Sequence, residues 1–104
     1  MYVLRRTVGT SITIKASDAV IRLKLVGIDW LGACALLHIT RNGEPPRPME
    51  MGPGETVSLH PDVQFQLLRL SYATHDGTPA RVAEFGIDAP RSIAVRRSET
   101  ENGP

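Results

Sequence analysis

The sequence predicts an all-β domain, and three observations carry that prediction. Apolar residues recur at every second position along most of the chain. No stretch carries the three-to-four spacing of a helical stripe. Clusters of Gly, Pro, Asn and Asp punctuate the alternating runs. With 104 residues the chain is long enough for one small domain with one core, and 41% hydrophobic residues favour folding over disorder.

The elements follow in order. Residues 3–7 read as a short strand, closed by Val8-Gly9. Residues 11–15 alternate with Ile12 and Ile14 on one face. Residues 19–26 put Ile21, Leu23 and Leu25 inward and Arg22 and Lys24 outward. A turn over 29–32 contains Trp30 and Leu31. Residues 33–40 form a more continuously apolar strand, expected to be covered on both faces. Residues 42–54, NGEPPRPMEMGPG, hold four prolines and three glycines and read as a connector. Any strand there must be short and lie at an edge, because proline has no N–H for a central ladder. Beyond it, 56–59 is a short strand, Val63, Phe65 and Leu67 alternate against Gln64 and Gln66, and 74–79 is a turn. Strands over 80–87 and 92–97 complete the pattern, and the polar tail 98–104 is expected to fray.

The two halves rhyme. Gly9, Ile12-Thr13-Ile14, Ile21-x-Leu23-x-Leu25 and Leu37-His38-Ile39 form one series. Gly54, Val57-Ser58-Leu59, Val63-x-Phe65-x-Leu67 and Phe85-Gly86-Ile87 form the other. One domain over 1–104 is therefore expected, built of pseudo-repeats 1–41 and 55–97 around the connector 42–54.

Charge adds a regional signal. The net charge is only +1, but the cations are almost all arginine and gather near the ends: Arg5 and Arg6, then Arg91, Arg96 and Arg97. Between residues 44 and 62, Glu44, Glu50, Glu55 and Asp62 face Arg47 alone. Arginine's planar fork suits phosphates and base edges, although charge alone fits a solvated surface more simply. Enzyme chemistry is not expected. His38, His60 and His75 lack zinc-ligand spacing, Ser11, Ser71 and Ser92 lack a nucleophile elbow, and Cys34 reads as inert core. No metal or cofactor is expected. A single cysteine allows no internal disulfide, and with no signal-peptide pattern or membrane-length apolar run the expectation is cytoplasmic, with no membrane partner.

Two segments carry a more specific signal. The opening holds Leu4, Arg6, Val8 and Gly9; the close, FGIDAPRSIAVRRSE, holds Gly86, Ile87, Ala89, Pro90, Arg91, Val95, Arg97 and Glu99. Together they resemble the CsrA/RsmA carbon storage regulator family of bacterial RNA-binding proteins, over about a third of the chain. The chain departs from that family in its large central excess, in lacking a counterpart of the usual C-terminal helix, and in Thr10, where the family has glutamate. Gly54-Glu55-Thr56-Val57 restores the Gly-Glu-Thr pattern in the second half.

The resemblance implies a small intertwined CsrA-like β-barrel or sandwich. In the family this is a homodimer whose first strand in one subunit lies beside the last strand of the other. The extra length then suggests a single-chain pseudo-dimer, monomeric, with one RNA site where the first and last strands are neighbours; PRPMEMG replaces the other site. The resemblance also implies GGA-type recognition in single-stranded or hairpin-loop mRNA or small RNA, and control of translation initiation. Arg6 and Arg97 would fork onto bases or phosphate. Leu4, Ala89, Pro90 and Val95 would pack or present backbone groups, and Arg5, Arg91 and Arg96 would attract phosphate. The alternative is a protein-interaction module that binds or co-assembles with a CsrA/RsmA-type regulator without touching RNA, using an exposed strand edge and Met49 and Met51.

Overall fold

The structure, a computed structural model, describes residues 1–29, 31, 33–75 and 77–98. The expectations for Trp30, Gly32, Asp76, Glu99 and the rest of the tail lie outside these residues. Nine strands follow one another: β1 (Tyr2–Thr7), β2 (Ser11–Lys15), β3 (Val20–Asp29), β4 (Cys34–Arg41), β5 (Arg47–Met51), β6 (Thr56–His60), β7 (Val63–His75), β8 (Thr78–Asp88) and β9 (Ala94–Ser98). They form two antiparallel sheets, a four-stranded one in the order β1-β8-β7-β6 and a five-stranded one in the order β5-β4-β3-β2-β9.

Alternation decides which faces meet. Ile12, Ile14, Ile21, Leu23 and Leu25 from one sheet join Leu59, Val63, Phe65, Leu67 and Phe85 from the other in a single buried cluster. Phe65 and Phe85 stack with ring centroids 4.8 Å apart. The sheets therefore pack face to face as an open sandwich. No strand of the described residues belongs to both sheets, so the closed-barrel form of the expectation is not what the chain adopts.

Each half contributes a three-stranded meander, β2-β3-β4 or β6-β7-β8, and a leading strand that leaves it. β1 pairs with β8 of the second meander, and β5 pairs with β4 of the first. The registers correspond: Leu4 lies opposite Phe85 and Arg6 opposite Ala83, as Met49 lies opposite Leu37 and Met51 opposite Ala35. The turns correspond as well. Gly9 N–H donates to Leu25 O at 2.7 Å, and Gly54 N–H to Leu67 O at 2.7 Å. Leu25 and Leu67 donate in return to Thr10 O and Glu55 O. Both glycines have positive φ, 96° and 90°, which a side chain would resist. Two ladder irregularities also fall at matching places, Leu25/Gly27 and Leu67/Arg69, while a third, at Ser58/His60, has no counterpart in β2.

Three expectations need correction. The connector is not wholly strandless: β5 forms inside it, five residues long and at a sheet edge, where Pro48 withdraws no central hydrogen bond. β4 is not covered on both faces, since Ala35 and Leu37 are buried while Leu36 is half-buried and His38 exposed. The 74–79 turn is tighter than expected, because β7 runs to His75 and β8 starts at Thr78.

Candidate nucleic-acid interface

β1 and β9 are not hydrogen-bonded neighbours, contrary to expectation: each is the outer strand of a different sheet. They are nevertheless linked. A tight turn, in which Thr7 O accepts from Thr10 N–H and Thr10 Oγ1, carries the chain from β1 across to β2. β2 is the strand on which β9 pairs, Ser11 opposite Ser98 and Ile14 opposite Val95. The Arg6 guanidinium reaches over the gap, with Nη1 donating to Ser11 O at 3.4 Å and Nε to Arg5 O at 2.9 Å. The two outer strands thus border one opening of the sandwich.

Register tells which side chains face that opening. Leu4 and Arg6 share a face with buried Phe85 and Ala83; Val95 and Arg97 share a face with buried Ile14 and Ile12. Leu4, Val95 and Ala89 are half-buried and pack on the core cluster. Arg6 is 5% exposed, so in the free protein it works as a strut between β1 and β2. Arg97 is exposed, as are Arg96, Arg91 and Pro90. Arg5 points away from the core and lies 4.0 Å from Glu84. Leu4 and Arg6 therefore lie on the inward face of β1, and Val95 and Arg97 on the inward face of β9, with Arg5 and Arg96 on the outward faces of the same strands. Ala89, Pro90 and Arg91 sit on the β8–β9 connection, where Ile93 N–H donates to Pro90 O at 3.0 Å.

One basic surface escaped the sequence reading. Arg96 lies opposite Thr13, which lies opposite Arg22 on β3, and Lys24 lies opposite His38 on β4. These outward positions extend the cationic surface from β9 across the five-stranded sheet. Arg22, Lys24, His38, Thr40 and Pro46 line a shallow cavity of about 310 Å³ there. The outward alternation of Arg22 and Lys24 was the available signal; their alignment with Arg96 needed the pairing of β9.

Among the described residues, no group of three or more His, Cys, Asp or Glu stands where it could hold a metal ion. Cys34 is half-buried and not core, and desolvation, with Glu50, Asp29 and Glu55 nearby, raises its thiol above the ordinary 9.0. His60 Nε2 lies 2.9 Å from Asp18 Oδ1, an ion-pair geometry joining β6 to the β2–β3 turn. No helix among the described residues is long and apolar enough to cross a membrane. No family model, curated protein or solved structure matches the chain.

Proposed function

We propose that the protein is a single-chain, RNA-binding post-transcriptional regulator, a fused pair of CsrA-like lobes that keeps one RNA site per chain. What supports this reading is that Leu4 and Arg6 lie inward on β1, which turns directly into β2, while Val95 and Arg97 lie inward on β9, which pairs with β2. The swapped pairing of the leading strands β1 and β5 supports the fused pair.

In this reading a single-stranded loop bearing a GGA-type motif enters at the two outer strands. Edge N–H and C=O groups of β1 and β9 meet splayed bases, and Leu4 and Val95 give apolar contact. Arg97 forks onto guanine or phosphate. Arg6 holds β1 against β2 and so positions the β1 edge. Arg5, Arg91 and Arg96, together with Arg22 and Lys24, supply phosphate attraction. Occupancy of a GGA-containing ribosome-binding sequence would block initiation. One site cannot bridge two motifs, so that source of avidity is absent.

Titration of a GGA-containing hairpin RNA tests the reading. Saturation at one RNA per chain is expected, with salt-sensitive affinity. Arg97→Ala is expected to cost about 1–3 kcal/mol of binding while leaving thermal stability unchanged. Equal affinity for a hairpin in which GGA is scrambled, or no effect of Arg97→Ala, would refute it. A stable complex with a CsrA/RsmA-type protein without RNA affinity would favour the interaction-module reading.

A further inference from the structure

The two sheets are unequal at corresponding edges. In the five-stranded sheet β9 covers β2; in the four-stranded sheet nothing among the described residues covers β6. Glu55 O accepts from Leu67 N–H, so the backbone groups of Thr56 and Ser58, one and three positions on, point the other way, out of the sheet. Residues of β4, β5 and the segment between them line a cavity of about 340 Å³. Its floor is Ile39 and Met49, its wall includes Pro48, and its charged rim is Arg41, Arg47 and Glu44. Arg41 links the two features by donating from Nη1 to Leu59 O on β6. Arg47 is exposed.

We propose that this second opening is a docking site for an extended acidic segment of another protein, which adds to the β6 edge as a fifth strand. The molecule itself supplies the template, because β9 occupies the corresponding seat on β2, opposite Ser11, Thr13 and Lys15. Thr56 and Ser58 hold the corresponding positions on β6, up to the register shift between Ser58 and His60. Main-chain bonds to Thr56 and Ser58 provide adhesion, and alternate side chains provide selection. In the β9-like direction, the incoming strand would turn an aliphatic residue toward Met49 and, two residues before it, a carboxylate toward Arg47. Two guanidiniums against one carboxylate at the rim set the preference for an acidic segment. This proposal stands on sheet topology and the cavity alone, and it holds or fails independently of RNA binding at the β1–β9 opening.

The test is a titration followed by amide NMR, with an acetylated synthetic peptide carrying two glutamates ahead of a Val-Thr-Val run. Saturable one-to-one binding is expected, with the largest shifts at Thr56 and Ser58. Arg47→Glu should weaken it at least about tenfold, and a peptide with lysines in place of the glutamates should bind this variant better than the glutamate peptide does. Ser58→Pro, which removes an outward N–H, should also abolish binding; should that variant unfold, Arg47→Glu on the exposed rim still decides. Arg97→Ala should leave peptide binding intact. Three results would overturn the proposal: no saturable binding; shifts confined to Arg41 and Arg47 and reproduced by acetate, which would mean a small-anion site only; or a peptide-free dimer that protects the Thr56 and Ser58 amides, which would mean that a second copy owns the edge.

Discussion

Arg6 and Met51 hold corresponding places in β1 and β5, opposite Ala83 and Ala35, and both are buried. One is a cation whose burial is compensated by the carbonyls of Arg5 and Ser11; the other is apolar. The chain's own second half therefore shows that an unbranched apolar side chain fits this seat. Both Arg6→Met and Arg6→Ala leave the two carbonyls without this donor, but only Arg6→Ala also leaves a cavity, so it is expected to be the less stable of the two by about 1–3 kcal/mol. Thermal denaturation of both variants checks this; equal losses would mean that the guanidinium, not the filled volume, holds the seat. Asp18 gives a second residue-scale prediction. Its hydrogen bond to His60 holds its carboxyl below the ordinary 3.8. A carboxyl depressed in the folded state stabilises above its unfolded value and loses that contribution as pH falls through the folded one. Asp18→Asn should therefore lower stability above the acid range and flatten the acid limb, where pH falls through 3.8 towards the lower folded value. Urea denaturation at stepped pH would reveal it, and an unchanged acid limb would contradict the role given to the pair. The sequence announced neither partner: Asp18 and His60 stand in different halves, and only the packing of one sheet on the other joins them.

Strands were legible where the period of two was long and one-sided. Ile12, Ile14, Ile21, Leu23, Leu25, Val63, Phe65 and Leu67 all point inward as their alternation predicts, and all are buried. β5 was hidden by its prolines, which weaken a strand signal although an edge strand tolerates them. The ladder shifts at Leu25/Gly27 and Leu67/Arg69 left no mark in composition, since a bulge is a matter of pairing. Truncating a shared inward position measures how far the two sheets form one core. Ile14→Ala is expected to cost about 2–5 kcal/mol and to lower the transition of the whole molecule, not of one sheet, in calorimetry. Separate transitions for the two sheets would oppose a single core. Arg41 of β4 ties the two sheets together by donating to Leu59 O on β6. Arg41→Ala is expected to cost about 0.5–1.5 kcal/mol in urea denaturation; no loss would mean that the tie carries no weight.

At the scale of the molecule, the sequence rhyme and the strand pairing describe the same halves from two sides. The rhyme could be read along the chain because each series carries its own glycine and alternating run. Which strand crosses to which meander could not be read, because that exchange depends on non-local pairing. The adjacency of the ends was not legible: Leu4 and Val95 both pack on the core cluster, but β1 and β9 belong to different sheets. A four-stranded sheet beside a five-stranded one leaves two unlike openings, one bordered by Arg6 and Arg97 and the other by Arg41 and Arg47. The most direct test is native mass spectrometry of the chain with a GGA-containing hairpin RNA. A single chain of 11.4 kDa carrying one RNA is the predicted species. A particle of twice the chain mass carrying two RNAs would contradict the claim that one polypeptide supplies both lobes and a single site.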